Sequence, residues 1–135
     1  MSPSAQEIFQ RYVHAGPLTR DADAFAELFT EDGVFEAPLL PEDTSLPRRI
    51  VGREAIRRAM AAHYAQLPMD SRVPNVEKSA YVLHATADPE VFIAEIDTAF
   101  DTEDGEDVVS LVQVFRTRDG LIAKLRDYFS PALLA

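Results

Sequence analysis

Residues 91–129 read VFIAEIDTAFDTEDGEDVVSLVQVFRTRDGLIAKLRDYF, and the Asp104-Gly105 and Asp119-Gly120 pairs cut this run into three stretches dominated by Val, Ile, Leu and Phe. An Asp-Gly pair between apolar stretches is a strong hairpin signal, because both residues tolerate the positive φ that a tight two-residue turn demands. Residues 91–100, 108–116 and 121–129 are therefore predicted strands. Ala87-Asp88-Pro89 marks one more break and puts a fourth strand over 76–85. Together they form an antiparallel meander.

Upstream of this run the period changes. Ile8, Tyr12 and Ala15, with Phe9 and Val13 beside them, give the i, i+3, i+4, i+7 spacing of an amphipathic helix over 4–15, which Gly16-Pro17 is expected to stop. Thr19 or Asp21 can cap a second helix running through Phe25, Leu28 and Phe29. Val34 to Ala37 is a brief predicted strand, followed by a stiff loop holding Pro38, Pro41 and Pro47 with Leu39, Leu40 and Leu46. These leucines need an apolar partner, so residues 38–50 are expected to form a lid or rim. Gly52 precedes a third helix, Arg53 to about Gln66, with Ile56, Met60, His63 and Leu67 on its apolar stripe. Three helices followed by strands predict an α+β domain: helices packed on one face of a strongly curved antiparallel sheet, all within a single domain over 1–135.

Composition narrows the function. The 135 residues carry 13 Lys+Arg against 23 Asp+Glu, a net charge of −10, with 47% hydrophobic residues and no cysteine. So acidic a chain would be repelled by a phosphate backbone or an anionic membrane, so no nucleic-acid or membrane partner is expected. No apolar run approaches the ~20 residues that span a bilayer. The lack of cysteine rules out thiolate nucleophiles and zinc-thiolate sites and fits a cytoplasmic setting. His14, His63 and His84 show no ligand spacing, so neither a metal nor another cofactor is expected.

The order of elements, with Gly52-Arg53-Glu54-Ala55-Ile56 opening the third helix and Phe115-x-x-x-Asp119-Gly120-x-Ile122-x-x-x-Arg126-Asp127-Tyr128-Phe129 closing the sheet, resembles the SnoaL-like branch of the nuclear-transport-factor-2-like superfamily. That resemblance covers nearly the whole chain and implies a cone-shaped, partly closed apolar pocket, often in a homodimer. The superfamily hosts polyketide cyclases, ketosteroid isomerases, epoxide hydrolases, phenazine-pathway proteins and non-catalytic modules, so function has to be argued from the pocket.

Several branches match in part. Gln10-Arg11-Tyr12-Val13 is similar to the first helix of ketosteroid isomerases, which implies an oxyanion role for Tyr12; Ala37 stands at their general base, and Gln113 at their second oxyanion donor. Asp97 and Asp127 match the two acids of limonene-type epoxide hydrolases, although Glu95 replaces the arginine between them. Asp88-Pro89, Phe92, Glu95-x-Asp97 and Arg126-Asp127-x-x-x-Pro131 are similar to the phenazine A/B proteins, whose working histidine falls at Pro74.

Strand parity adds an argument independent of any family. On the last strand Ala123, Leu125, Asp127 and Phe129 share one face, which makes Asp127 the only charged group on it. An isolated carboxyl on an apolar face has a raised pKa and suits proton transfer near neutrality; a carboxylate paired with a nearby arginine or with backbone amides is the alternative. Glu95 and Asp97 share a face with Val91 and Ile93 that is either concave or solvated. Gln113 is the one amide among Val109, Leu111 and Phe115, and can serve an oxyanion or a neighbouring strand. His63 can be a structural histidine or a pocket residue.

The candidate catalytic set is thus Asp127, Asp97, Gln113 and Tyr12. His63, Phe35, Leu111, Phe115, Leu125, Phe129, Leu39 and Leu40 are the candidate pocket lining. The expected activity is cyclisation or isomerisation of a hydrophobic, oxygenated, polyketide-like molecule by acid–base chemistry in secondary metabolism. A non-catalytic binding or dimerisation module and an epoxide hydrolase are the alternatives. Apolar outward residues such as Val108, Val112 and Val114 point to a homodimer through the outer sheet face. The acid-rich tip at 101–107 reads as a solvated hairpin. Arg48, Arg49, Arg53, Arg57 and Arg58 either balance local acids or steer an anionic ligand.

Overall fold

The computed structural model describes residues 3–44, 46–67 and 74–131. Helix α1 (Ala5–Val13) starts at a capping box in which the Ser4 hydroxyl accepts from the Glu7 N–H while the Glu7 carboxylate accepts from Ser4, and it buries Ile8, Phe9 and Tyr12. Gly16-Pro17 does not stop the chain's winding. The helix instead widens into a π turn, His14–Leu18, with Pro17 inside it and Thr19 N–H bonded to the His14 carbonyl at 3.0 Å. A proline ring clashes with the carbonyl four residues back in an α-helix, and the wider turn gives it room.

Asp21 caps α2 (Ala22–Glu27) by accepting from the Ala24 N–H at 3.0 Å. The helix ends before Phe29, which opens β1 (Phe29–Glu36) instead of closing α2. Tertiary partners override the helical period here. The Arg53 guanidinium grips the Phe29 carbonyl at 2.7 and 3.0 Å, and the Ile122 N–H donates to Leu28 at 2.8 Å. Gly33 lies where β1 kinks between Phe29 and Val34, and a Cβ there would come within 2.9 Å of the Phe29 Cβ.

Strand β2 (Arg49–Val51) pairs antiparallel with β1 and falls in the stretch expected to be loop. After α3 (Arg53–Gln66) come β3 (Ala80–Ala85), β4 (Val91–Thr102), β5 (Gly105–Arg118) and β6 (Leu121–Tyr128). β3 starts later than the apolar pattern suggests, since Asn75 folds residues 76–78 into a turn by accepting from Lys78 and Ser79. The β5–β6 turn carries positive φ at both Asp119 (54°) and Gly120 (82°), as a two-residue hairpin turn requires. The residues 68–73, just after α3, lie outside the described residues.

The sheet order is β2-β1-β6-β5-β4-β3. Every neighbouring pair is antiparallel except β1 with β6, which is parallel, so the sheet is mixed where an all-antiparallel one was expected. The fold is α+β, three helices against a sheet that is curled but not closed. The core lies between the helices and the concave face. Phe9, Phe25, Phe29, Ile56, Phe115, Ile122 and Leu125 are fully buried there, and Phe92 stacks on Phe115 at 4.7 Å.

Candidate functional site

A cavity of about 600 Å³ opens between α1, α3 and the concave face of the sheet. Three polar side chains from three elements converge on its wall: Tyr12 from the last turn of α1, Gln113 from β5 and Asp127 from β6. All three are buried. Register brings two of them together, for Gln113 stands directly opposite Asp127 in the β5–β6 pair. The Gln113 Nε2 donates to the Tyr12 hydroxyl at 2.8 Å. Among the described residues, neither Asp127 Oδ1 nor Gln113 Oε1 has a hydrogen-bond partner.

That arrangement sets the protonation states. Burial pushes the Asp127 carboxyl up to about 7, against the opposing pull of hydrogen bonding to Gln113 and Tyr12. Burial, reinforced by the Asp127 charge, holds Tyr12 well above the ordinary phenol value, so it stays a neutral donor. The site therefore combines a carboxyl that can gain or lose a proton near neutrality with a phenol and an amide that polarise an oxygen without changing charge.

Other candidate residues divide. Phe35, His63, Leu111 and Phe129 line the cavity. Burial, with help from the Arg20 charge, lowers the pKa of half-buried His63, which is then neutral at pH 7. Phe115 and Leu125 face inward but are sealed in the core; α1 covers Phe115 with Phe9 and Tyr12. Leu39 is 53% exposed and Leu40 is packed in the core, so neither lines the cavity; Leu46 does. The segment expected to be a rim is anchored in the core through Leu40, Leu46 and Ile50, while most of its other described residues are exposed.

Asp97 does not reach the site. On β4 the concave residues are Phe92, Ala94, Ile96 and Thr98, which turns Glu95 and Asp97 to the outer face, both exposed. There the Ser110 hydroxyl donates to Asp97 at 2.6 Å and Glu95 pairs with His84. Four of the five arginines around α3 answer nearby acids: Arg48 with Glu42, Arg49 with Glu36, Arg53 with Glu27, and Arg57 with Asp23, Glu27 and Glu54. Among the described residues no group of three or more His, Asp and Glu could hold a metal ion, and no helix is long and apolar enough to cross a membrane.

Sequence reasoning missed Tyr64, which lines the cavity beside His63. Its signal was present, since Tyr64 is four residues after Met60 and so belongs to the inward face of α3.

Helices laid over the concave face of a curled mixed sheet, with a polar trio on the wall of an apolar cavity, define a pocket domain of the nuclear-transport-factor-2-like class. Residues 9–125 match the SnoaL-like domain, and the chain belongs to that family. Two curated relatives, both uncharacterized, are similar over most of their length. One, YesE of Bacillus subtilis, is 31% identical over 87% of this chain and 76% of its own; the other, a PhzA/B-like protein of Pseudomonas aeruginosa, is 33% identical over 95% and 85%. Among solved structures, a Bacillus subtilis protein provisionally labelled an isomerase superposes with a TM-score of 0.73 at 29% identity, covering 96% of this chain and 88% of that one. TerC, crystallised with polyporic acid, shares the fold with a TM-score of 0.64 at 13% identity, over 95% and 92%.

Proposed function

We propose that this protein is a cofactor-independent enzyme that cyclises or isomerises a hydrophobic, oxygenated, polyketide-like molecule by proton transfer. Asp127 takes the proton from a carbon next to a carbonyl and returns it elsewhere on the ligand. Tyr12 and Gln113 hold the carbonyl oxygen as negative charge develops on it. The observation that carries this reading is the buried Asp127 carboxyl, on the cavity wall, with one oxygen free of any partner among the described residues and with neutral donors beside it. A structural carboxylate would be paired.

Epoxide hydrolysis of the limonene type needs two acids at the ligand, and Asp97 on the outer face supplies none. TerC, a neighbour of the same fold crystallised with polyporic acid, supports a small-molecule ligand here as well. The test begins with native mass spectrometry of protein purified from its own host, to find the bound molecule, and continues with turnover of that molecule by the parent and by Asp127→Asn. Bound ligand that is never converted would leave a binding module in place of an enzyme.

The same reading includes a homodimer through the outer sheet face. Val82, Val108 and Val112 stand exposed there, with Glu95 and Asp97 toward one edge and Lys124, Arg126 and Arg49 toward the other. A two-fold axis through the middle lays the acidic side of one copy on the basic side of the next.

A further inference from the structure

The trio at Asp127 accounts for one polar end of the cavity, and Tyr64 marks another. Tyr12 lies in the last turn of α1 and Gly16 four residues on, in the π turn, so the two are about one helical turn, ~6 Å, apart along the same wall. Gly16 has no side chain to cover that wall. A Cβ placed there would sit 3.5 Å from the Phe25 ring and 3.8 Å from the Tyr64 hydroxyl, which locates that hydroxyl over Gly16. Tyr64 is partly buried, lines the cavity, and has no hydrogen-bond partner among the described residues. It is a neutral phenol at pH 7, its pKa being pushed up to about 12 chiefly by burial. His63, neutral as well, adjoins it with ring centroids 5.9 Å apart. The remaining wall between the two tyrosine hydroxyls is aromatic and aliphatic, with Phe25, Phe35 and Met60 among its residues.

We propose that Tyr64 is a second ligand-binding residue: its hydroxyl hydrogen-bonds an oxygen on one edge of a flat ring ligand whose opposite edge carries the oxygen held by Tyr12, so the cavity selects rings oxygenated on two opposite edges. The two hydroxyls enter the cavity from different elements, Tyr12 from α1 and Tyr64 from α3, so a ring lying against the aromatic wall presents one edge to each. A partly buried phenol on a cavity wall is free to donate to a ligand oxygen, which then replaces water at that hydroxyl. The inference deepens the small-molecule reading of this cavity and does not depend on which reaction Asp127 performs.

The experiment is calorimetric titration of the full chain with two probes, 2-naphthol and naphthalene-2,6-diol, which differ by one oxygen on the opposite edge. The parent is expected to bind the diol about 3- to 10-fold more tightly than 2-naphthol, the worth of one neutral hydrogen bond. Tyr64→Phe keeps the ring and its packing, and is expected to abolish that preference while leaving 2-naphthol affinity within about twofold. A preference that survives in Tyr64→Phe, a parent with no preference, or a parent that binds neither probe at millimolar concentration overturns the proposal. Titration of the Asp127 carboxyl is followed by NMR on the same samples. A carboxyl titrating near neutrality without any Tyr64-dependent preference overturns this inference and leaves the proton-transfer reading standing. The preference without that titration overturns the proton-transfer reading alone.

Discussion

Gln113 and Asp127 face each other across the β5–β6 ladder with both side chains on the concave face; the Gln113 Nε2 donates to the Tyr12 hydroxyl, while Asp127 Oδ1 has no partner among the described residues. In a sheet this pairing is fixed by register, so a slip of one residue would put the two groups on opposite faces. The Asp119-Gly120 turn that sets the register is therefore part of the site. The chemistry depends on a turn that lies six residues after Gln113 and seven before Asp127.

Asp127 makes stability depend on pH with a definite sign. Its pKa rises from 3.8 to about 7 on folding, so between those values the folded state holds a proton that the unfolded state has lost. The contribution is favourable to folding at low pH relative to high, and it declines as pH rises from about 4 to 7, by at most roughly 4 kcal/mol. Asp127→Asn removes this term. The melting temperature of the variant minus that of the parent is expected to grow through this window and to level off above it, as differential scanning calorimetry at several pH values would show. A flat difference would mean that Asp127 is not buried in isolation.

Tyr12→Phe separates the two donors. The phenyl ring keeps its packing against Phe25 and Phe115, but the Gln113 Nε2 loses its acceptor in a buried setting, a loss of about 1–3 kcal/mol. Turnover of the natural ligand is expected to fall by roughly 10²–10³-fold, the usual consequence of losing one oxyanion donor. Chemical denaturation and steady-state kinetics on one sample check both.

Gly33→Ala tests the β1 kink. Its methyl would meet Phe29 Cβ at 2.9 Å and the Thr30 carbonyl at 3.0 Å, so strand or ring must move. A destabilisation of about 1–3 kcal/mol is expected, typical of an overpacked core. Urea unfolding checks it.

How far all this could be read beforehand follows from which signals are local. The β4–β5 and β5–β6 hairpins were legible because Asp-Gly pairs demand their turns, and alternation then put Asp127 and Gln113 on faces with apolar neighbours. The side to which Asp97 points was not legible, because β4 carries apolar residues on both faces: Val91 and Ile93 outward, Phe92 and Ile96 inward. Only the pairing with β3 and β5 decides between them. Phe29 fits a helical stripe and became a strand residue because Arg53 and Ile122, both distant in sequence, bind the backbone beside it. Strand β2 has three residues and exists through its register with β1. The lining was overestimated for a related reason, since parity tells that Phe115 and Leu125 face inward but not that α1 covers the sheet there.

The outer sheet face predicts assembly. Val112 sits opposite Glu95 on one side and Tyr128 on the other, near the centre of that face. Sedimentation at micromolar concentration is expected to give twice the chain mass for the parent and the single mass for Val112→Asp, which places a charge in the apolar middle. A parent at single mass would rule out this dimer.

Asp127→Asn also divides enzyme from binder and from structural residue, because the amide nearly preserves volume while removing titration. If the carboxyl transfers the proton, turnover falls by roughly 10²–10⁴-fold, with ligand affinity and fold largely kept. Were the carboxylate a structural element, its loss would leave Gln113 and Tyr12 without a partner they now orient around, and the variant would melt well below the parent at every pH. A pure binder would show a change in affinity and no turnover to lose. The unpartnered Asp127 Oδ1 favours the first outcome. Nothing among the described residues uses that oxygen to hold the fold together, so replacing it with an amide removes a buried charge above pH 7 and relieves a cost to folding. A variant at least as stable as the parent at pH 8, still binding ligand, and inactive is the expected result. Melting, titration and turnover measured on that one substitution assign the role of Asp127.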